Sequence, residues 1–161
     1  MEPDTVIYTA SYFQSENHHG SRISISRSEP QKIAVDGKLA IFVPEQCILS
    51  DYKNGRFDNE GYINRYRKQM RRSLPQIRAW LDSLDPSIDM TLLCWEKAGQ
   101  FCHRNLAIAF VERYRPDCFG GRDVDAFTFL RCAITGNGQA AVTPPFQSKA
   151  LEFNECKVKG N

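Results

Sequence analysis

The sequence predicts one α/β domain: a mostly parallel, Rossmann-like sheet flanked by helices, with a C-terminal β-rich extension. Three observations carry this. Residues Met90 to Trp95 (MTLLCW) form a continuous apolar run with no charge, the pattern of a strand covered on both faces in a parallel sheet. Around it the patterns alternate in the order strand, helices, strand, helix, which is the grammar of βαβ units. The length, 161 residues, suits one self-sufficient core. We take 1–161 as a single domain, with 1–119 as the core and 120–161 as the extension.

The elements follow in order. Val6 to Phe13 (VIYTASYF) is β-branched and aromatic and reads as a first strand. Arg22 to Ser28 (RISISRS) sets Ile23 and Ile25 between polar residues and reads as a second strand, ended by Pro30. Leu39 to Val43 is apolar and reads as a strand or a buried connection. Pro44 suits the start of a short helix over Glu45 to Lys53, because its missing N–H costs nothing there. Asp58 is an N-cap for a helix with Tyr62, Ile63, Tyr66 and Met70 at helical spacing. Ser73 and Pro75 open a further helix with an Ile77, Trp80, Leu81, Leu84 stripe. Cys102 to Tyr114 is helical up to Pro116. In the extension, Phe127 to Ile134 and Leu151 to Val158 read as strands around a Gly- and Pro-rich loop.

Composition excludes several classes. The chain is 42% hydrophobic and 25% charged, which argues against disorder and against a coiled coil. Its longest apolar runs fall far short of the roughly 20 residues of a membrane-spanning helix. The acidic start, Met1-Glu2-Pro3-Asp4, does not resemble a signal peptide, so the expected location is cytoplasmic. The net charge of +2 selects no partner. None of the six cysteines is spaced as C-x-x-C, so free thiols are the expectation.

The chemistry concentrates in Leu92 to Arg104, LLCWEKAGQFCHR. A buried strand ends at Trp95, and Glu96 follows at its carboxyl end. A short loop containing Gly99 then leads to a helix whose first turn holds Cys102, His103 and Arg104. Ligands of open α/β sheets bind beyond the carboxyl ends of strands, where helix N-termini present free N–H groups. A thiol there, beside His and Arg, has its thiolate favoured. His103 suits proton transfer near neutral pH. Arg104 suits a bidentate clamp on phosphate or carboxylate. Glu96 suits orientation of either, or base catalysis. The catalytic candidates are therefore Cys102, His103 and Glu96. Cys94 reads as a small buried hydrophobe. The spacing of Cys94 and Cys102 matches no zinc knuckle, so no metal ligand is assigned.

The string LLCWEKAGQFCHRNLAIAF resembles the signature of the family catalogued as domain of unknown function 488. Its elements here are Leu92, Leu93, Cys94, Trp95, Glu96, Cys102, His103 and Arg104. Ile7-Tyr8-Thr9, the run Ile25-Ser26-Arg27-Ser28-Glu29-Pro30, and Asp51 to Gly55 followed by Tyr62, Ile63 and Tyr66 extend the likeness over about residues 5–115. This chain has Ile25 where many members carry Asp. The resemblance implies an α/β fold with Arg27 and the Cys102-His103-Arg104 turn facing one cleft. It implies no settled activity. Arg27, Arg104 and Ser28 are the ligand-binding candidates that follow.

Two functional classes result. The first is an anion-binding cleft acting on a phosphorylated, nucleotide-like or nucleic-acid ligand. The second is a non-catalytic module binding nucleic acid or protein. Its candidate surface is the basic helix 62–78, where Arg65, Lys68 and Arg72 fall at i, i+3, i+7 on one face. A thiol-ligated metal site ranks below both. No cofactor follows from the sequence.

Overall fold

The structure, a computed structural model, describes residues 5–121. The expected strands of the extension, and everything else in 122–161, lie outside the described residues. Four strands form one all-parallel sheet: β1 (Ile7–Ser11), β2 (Ser21–Ser24), β3 (Gly37–Lys38) and β4 (Met90–Cys94), in the spatial order β1-β4-β2-β3. The uncharged run of β4 is thus internal, as its composition requires. Leu92 pairs with Thr9 on one side and Ile23 on the other.

Four helices complete the core: α1 (Gln46–Lys53), α2 (Asn59–Arg72), α3 (Leu74–Asp82) and α4 (Arg104–Tyr114). Asp58 caps α2 as expected, its carboxylate accepting from the Gly61 N–H at 2.9 Å. Pro75 lies in the first turn of α3, but the Ser73 side chain makes no capping hydrogen bond.

Alternation along β4 divides the interior. Leu92 joins a large cluster with Ile48 of α1, Tyr66 and Met70 of α2, Ile77 of α3 and Ile108 of α4. Leu93 faces the other way, onto Ala10, Tyr12, Ile33 and Val35. Among the described residues that second cluster contains no helical residue, so all four helices contribute to the first. Leu92 and Leu93 are both fully buried, each worth about 2 kcal/mol of transfer free energy.

The second strand is shorter than the alternation predicts. Pairing stops at Ser24, and residues 25–30 run on as a loop past the end of the sheet. Hydroxyls hold that loop in place. The Tyr12 hydroxyl lies 2.7 Å from both Ser24 Oγ and Ser26 Oγ, and Ser24 Oγ donates to Glu29 at 2.7 Å. Leu39 to Val43 is a connection with a 3-10 turn over Ala40–Phe42, in which Phe42 is buried and Ala40 is exposed. β2 begins at a tight approach: a Cβ on Gly20 would sit 2.0 Å from the Asp89 carbonyl oxygen, and its φ is +60°.

Candidate functional site

The carboxyl ends of β2 and β4 open onto a cleft of about 340 Å³. Its floor is Cys94, Glu96, Cys102 and His103. Tyr52, Tyr62, Trp95 and Phe101 form aromatic walls, and Arg27 and Lys53 supply cations. Ser26 and Ser28 line the β2 side.

Each floor residue is placed by local structure. Cys94 is the last residue of β4, and Glu96 follows two positions on. The loop turns at Gly99, whose φ of +82° suits glycine, and the Gln100 N–H donates to the Lys97 carbonyl at 3.1 Å. Cys102 and His103 then form the turn that enters α4. The His103 carbonyl accepts from the N–H groups of Leu106 and Ala107, each at 2.9 Å. The helix itself starts at Arg104, two residues later than the sequence predicts.

His103 is fixed from two sides. Its Nε2 lies 2.7 Å from the Ile25 carbonyl oxygen. A carbonyl only accepts, so Nε2 carries the proton. Nδ1 then faces the thiols, 3.7 Å from Cys94 Sγ. The Tyr66 ring packs edge-on against the imidazole, with centroids 5.4 Å apart. Because a backbone carbonyl holds the ring, the contact makes no demand on the side chain at position 25.

The thiols are electrostatically distinct. Burial pushes the Cys102 thiol up. The Cys94 hydrogen bond, the His103 ring and the charges of His103 and Arg104 outweigh burial and hold it well below the ordinary range. Cys94 goes the other way, raised by its hydrogen bond to Cys102, by burial, and by the charges of Cys102 and Glu96. For His103, burial favours the neutral ring, but its hydrogen bond to Cys102 and the thiolate charge prevail and raise it. Glu96 is raised by burial first and by the Cys102 charge second. These directions favour charge separation between Cys102 and His103 and work against ionisation of Cys94 and Glu96 beside them. Cys94 Sγ lies 3.3 Å from Glu96 Oε2.

The expected site residues separate into three groups. Cys102, His103, Glu96, Arg27 and Ser28 come together around the cleft. Arg27 is exposed and donates to the Pro44 carbonyl at 3.3 Å, while the Ser28 carbonyl accepts from Trp95 Nε1 at 2.8 Å. Arg104 does not line the cleft. It is fully buried and donates to the Glu96 carbonyl at 2.6 Å, bracing the loop from behind. The third group is the α2 face. Arg65 pairs with Asp51 at 3.8 Å and lies 4.5 Å over the Phe57 ring. Arg72 pairs with Glu45, and Lys68 is exposed.

Sequence reasoning missed Cys94 as a participant and missed Lys53, Tyr52, Tyr62 and Phe101. Cys94 was legible as the residue at a strand's carboxyl end. The others reach the cleft only through tertiary packing.

Cys94, Cys102 and His103 could also hold a metal. Their donor atoms all lie within 4.8 Å of one another, a grouping the spacing alone does not suggest. Cys94, Cys102 and Cys118 are free thiols. No helix among the described residues is long and apolar enough to cross a membrane.

The model of the DUF488-N3a family, described as the active DUF488-N3 subclade, matches residues 7–115. That span runs from β1 to the end of α4 and contains the whole floor of the cleft. No curated protein matches, and no solved structure matches. The match covers more than half of the 161 residues and includes the LLCWE and CHR segments, so the chain belongs to the DUF488 family.

Proposed function

We propose that the cleft is an enzyme active site in which Cys102 is the nucleophile and the substrate is a phosphorylated, nucleotide-like molecule. The observation that carries this is the contact between Cys102 and His103 on the floor of a cleft walled by aromatic rings and bordered by Arg27 and Lys53. Cations suit the phosphate, and flat rings suit a base.

The chemistry balances with groups already present. The Cys102 thiolate forms a bond to an electrophilic atom of the substrate, and that atom's bond to a leaving oxygen breaks. Glu96 protonates the leaving oxygen and becomes a carboxylate. Water then attacks the covalent intermediate, Glu96 takes the water proton, and Cys102 departs as thiolate. His103, held by the Ile25 carbonyl, stays protonated and stabilises the thiolate before and after.

The test is alkylation of the folded protein by iodoacetamide across pH, read by mass spectrometry, beside a thermal-shift screen of nucleotides and sugar phosphates. Cys102 should react at pH 6 well ahead of Cys94 and Cys118, and a cleft ligand should protect it. Ligand at 100 times its Kd should stabilise the fold by about 2.7 kcal/mol. An ordinary thiol pH profile at Cys102, with no stabilising ligand, overturns the proposal.

A second reading rests on the mutual proximity of three donor atoms. Cys94, Cys102 and His103 would ligate one zinc ion, leaving a coordination position toward the cleft. Metal analysis of the purified protein separates the readings. One equivalent of zinc, lost together with stability in Cys94→Ala, favours the metal; its absence from protein with a reactive Cys102 favours the nucleophile.

A further inference from the structure

A second cavity, of about 570 Å³, lies between α2 and α4. α4 borders both cavities. Its entry turn, Cys102 and His103, floors the cleft, and Leu106, Ala109, Phe110, Glu112, Arg113 and Tyr114 line the second cavity. At 1.5 Å per residue, Arg113 lies about 15 Å along the helix from His103.

The lining carries three guanidiniums, Arg67, Arg71 and Arg113, against one carboxylate, Glu112. Among the described residues, none of these three arginines has an ion pair or hydrogen bond. They differ in this from Arg65 and Arg72 on the same helix, which pair with Asp51 and Glu45. Helix dipoles explain part of the arrangement, since Arg71 and Arg113 sit in the last turns of α2 and α4. They do not explain Arg67. It lies mid-helix and half-buried, where burial and the neighbouring Arg71 both disfavour its charge.

The floor is apolar and aromatic. Phe110 and Tyr114 stack at 6.3 Å between centroids. Arg78 and Arg113 lie 4.9 Å and 5.8 Å from the Tyr114 ring centre. Unpaired guanidiniums around stacked rings match two demands of a nucleic-acid strand, namely phosphates to neutralise and bases to stack. A cavity of this volume takes one or two nucleotides of a single strand and is too small for a duplex. We propose that this cavity is a second anion site, one that binds the sugar-phosphate backbone of a single-stranded nucleic acid. It does not depend on the nucleophile reading of the cleft, whose readouts are separate.

The experiment is fluorescence anisotropy with a labelled 12-nucleotide single strand and the full chain, titrated from 50 to 300 mM salt. Wild type should bind, with log affinity falling linearly in log salt. The triple variant Arg67→Gln/Arg71→Gln/Arg113→Gln removes up to three phosphate contacts, so it should lose tenfold or more in affinity at 50 mM. Its slope should flatten by about 2. Arg22→Gln, on β2 and already paired with Asp36, should change neither by more than a factor of two. Thermal melting of each variant checks folding. Three results would overturn the proposal. One is no strand binding by wild type at 50 mM salt. Another is equal affinity and slope in the triple variant. The last is anionic-vesicle or free-monophosphate binding that depends on these arginines while strand binding does not.

Discussion

The two ends of α4 hold ionisable groups in opposite ways. At the entry turn, Cys102, His103 and Arg104 are buried and each leans on another group: a thiol, the Ile25 carbonyl, the Glu96 carbonyl. At the far end, Arg113 faces Arg67 and Arg71 across a cavity, and none of the three has an ion-pair partner among the described residues. Buried charge survives only where the fold compensates it. Exposed charge, as at Arg71 and Arg113, costs the fold little and stays available to a ligand. The contrast teaches that charge density alone does not locate function. What matters is which charges the chain has already answered.

The sharpest way to break the comparison is to remove one arginine from each end. Arg104→Ala deletes a fully buried side chain and the hydrogen bond that braces the Glu96 loop. It should destabilise the fold by about 3–5 kcal/mol, in the range of large buried truncations and broken buried charge contacts. Arg113→Ala should change stability by less than about 0.5 kcal/mol. Urea unfolding of both variants measures the difference. Similar losses at the two ends would erase the distinction.

The sequence made much of this visible, and its failures have physical causes. The alternation of elements, the internal position of β4 and the Asp58 cap were legible because each rests on local patterning. β3 was not. Two residues, Gly37 and Lys38, offer no alternation to read, and the strand exists because Ile23 and Ser24 pair with it. β2 was overread past Ser24 because Ile25 keeps the alternation and its N–H still donates to the Leu93 carbonyl, while its own carbonyl turns to His103. The CHR turn was legible as a cluster but not as an orientation. Side chains at successive positions of a helix entry point apart, so Cys102 and His103 reach the cleft and Arg104 turns inward. Likewise Arg65, Lys68 and Arg72 do share a helix face, but helical spacing says nothing of the acids on α1 that meet it.

A smaller effect sharpens the cleft half of the comparison. Tyr12→Phe removes the hydroxyl that joins Ser24 to Ser26 and leaves two buried serines with one fewer partner. The cost should be about 1–2 kcal/mol in chemical denaturation. Because Ser26 lines the cleft and its Oγ donates to the Ser28 carbonyl at 2.6 Å, the change should also weaken any cleft ligand several-fold. Strand binding at the α2–α4 cavity should not move.

The smallest expected effect is a pH dependence confined to the same loop. Glu29 accepts from Ser24 and from Lys38 Nζ at 2.9 Å, and Lys38 also donates to the Arg27 carbonyl at 3.0 Å. The Ser24 hydrogen bond first, then the one from Lys38, holds the Glu29 carboxyl below the usual range. A carboxyl that titrates lower when folded binds fewer protons in the native state than in the unfolded one. Its contribution is therefore complete above the unfolded pKa and is lost as pH falls through the folded value, in the window below about pH 4. Glu29→Gln should flatten the acid limb of the stability curve slightly and leave the neutral side almost unchanged. The same window should loosen the loop that carries Arg27, so amide exchange at residues 25–30 should rise from pH 5 to pH 3 in wild type and change less in the variant. Glu29 bonds Ser24 and Lys38 and does not line the α2–α4 cavity, so amide exchange along α2 and the second half of α4 should not follow the Glu29 titration. If exchange at both ends of α4 rose together, the two regions would be one cooperative unit and the difference between them only chemical.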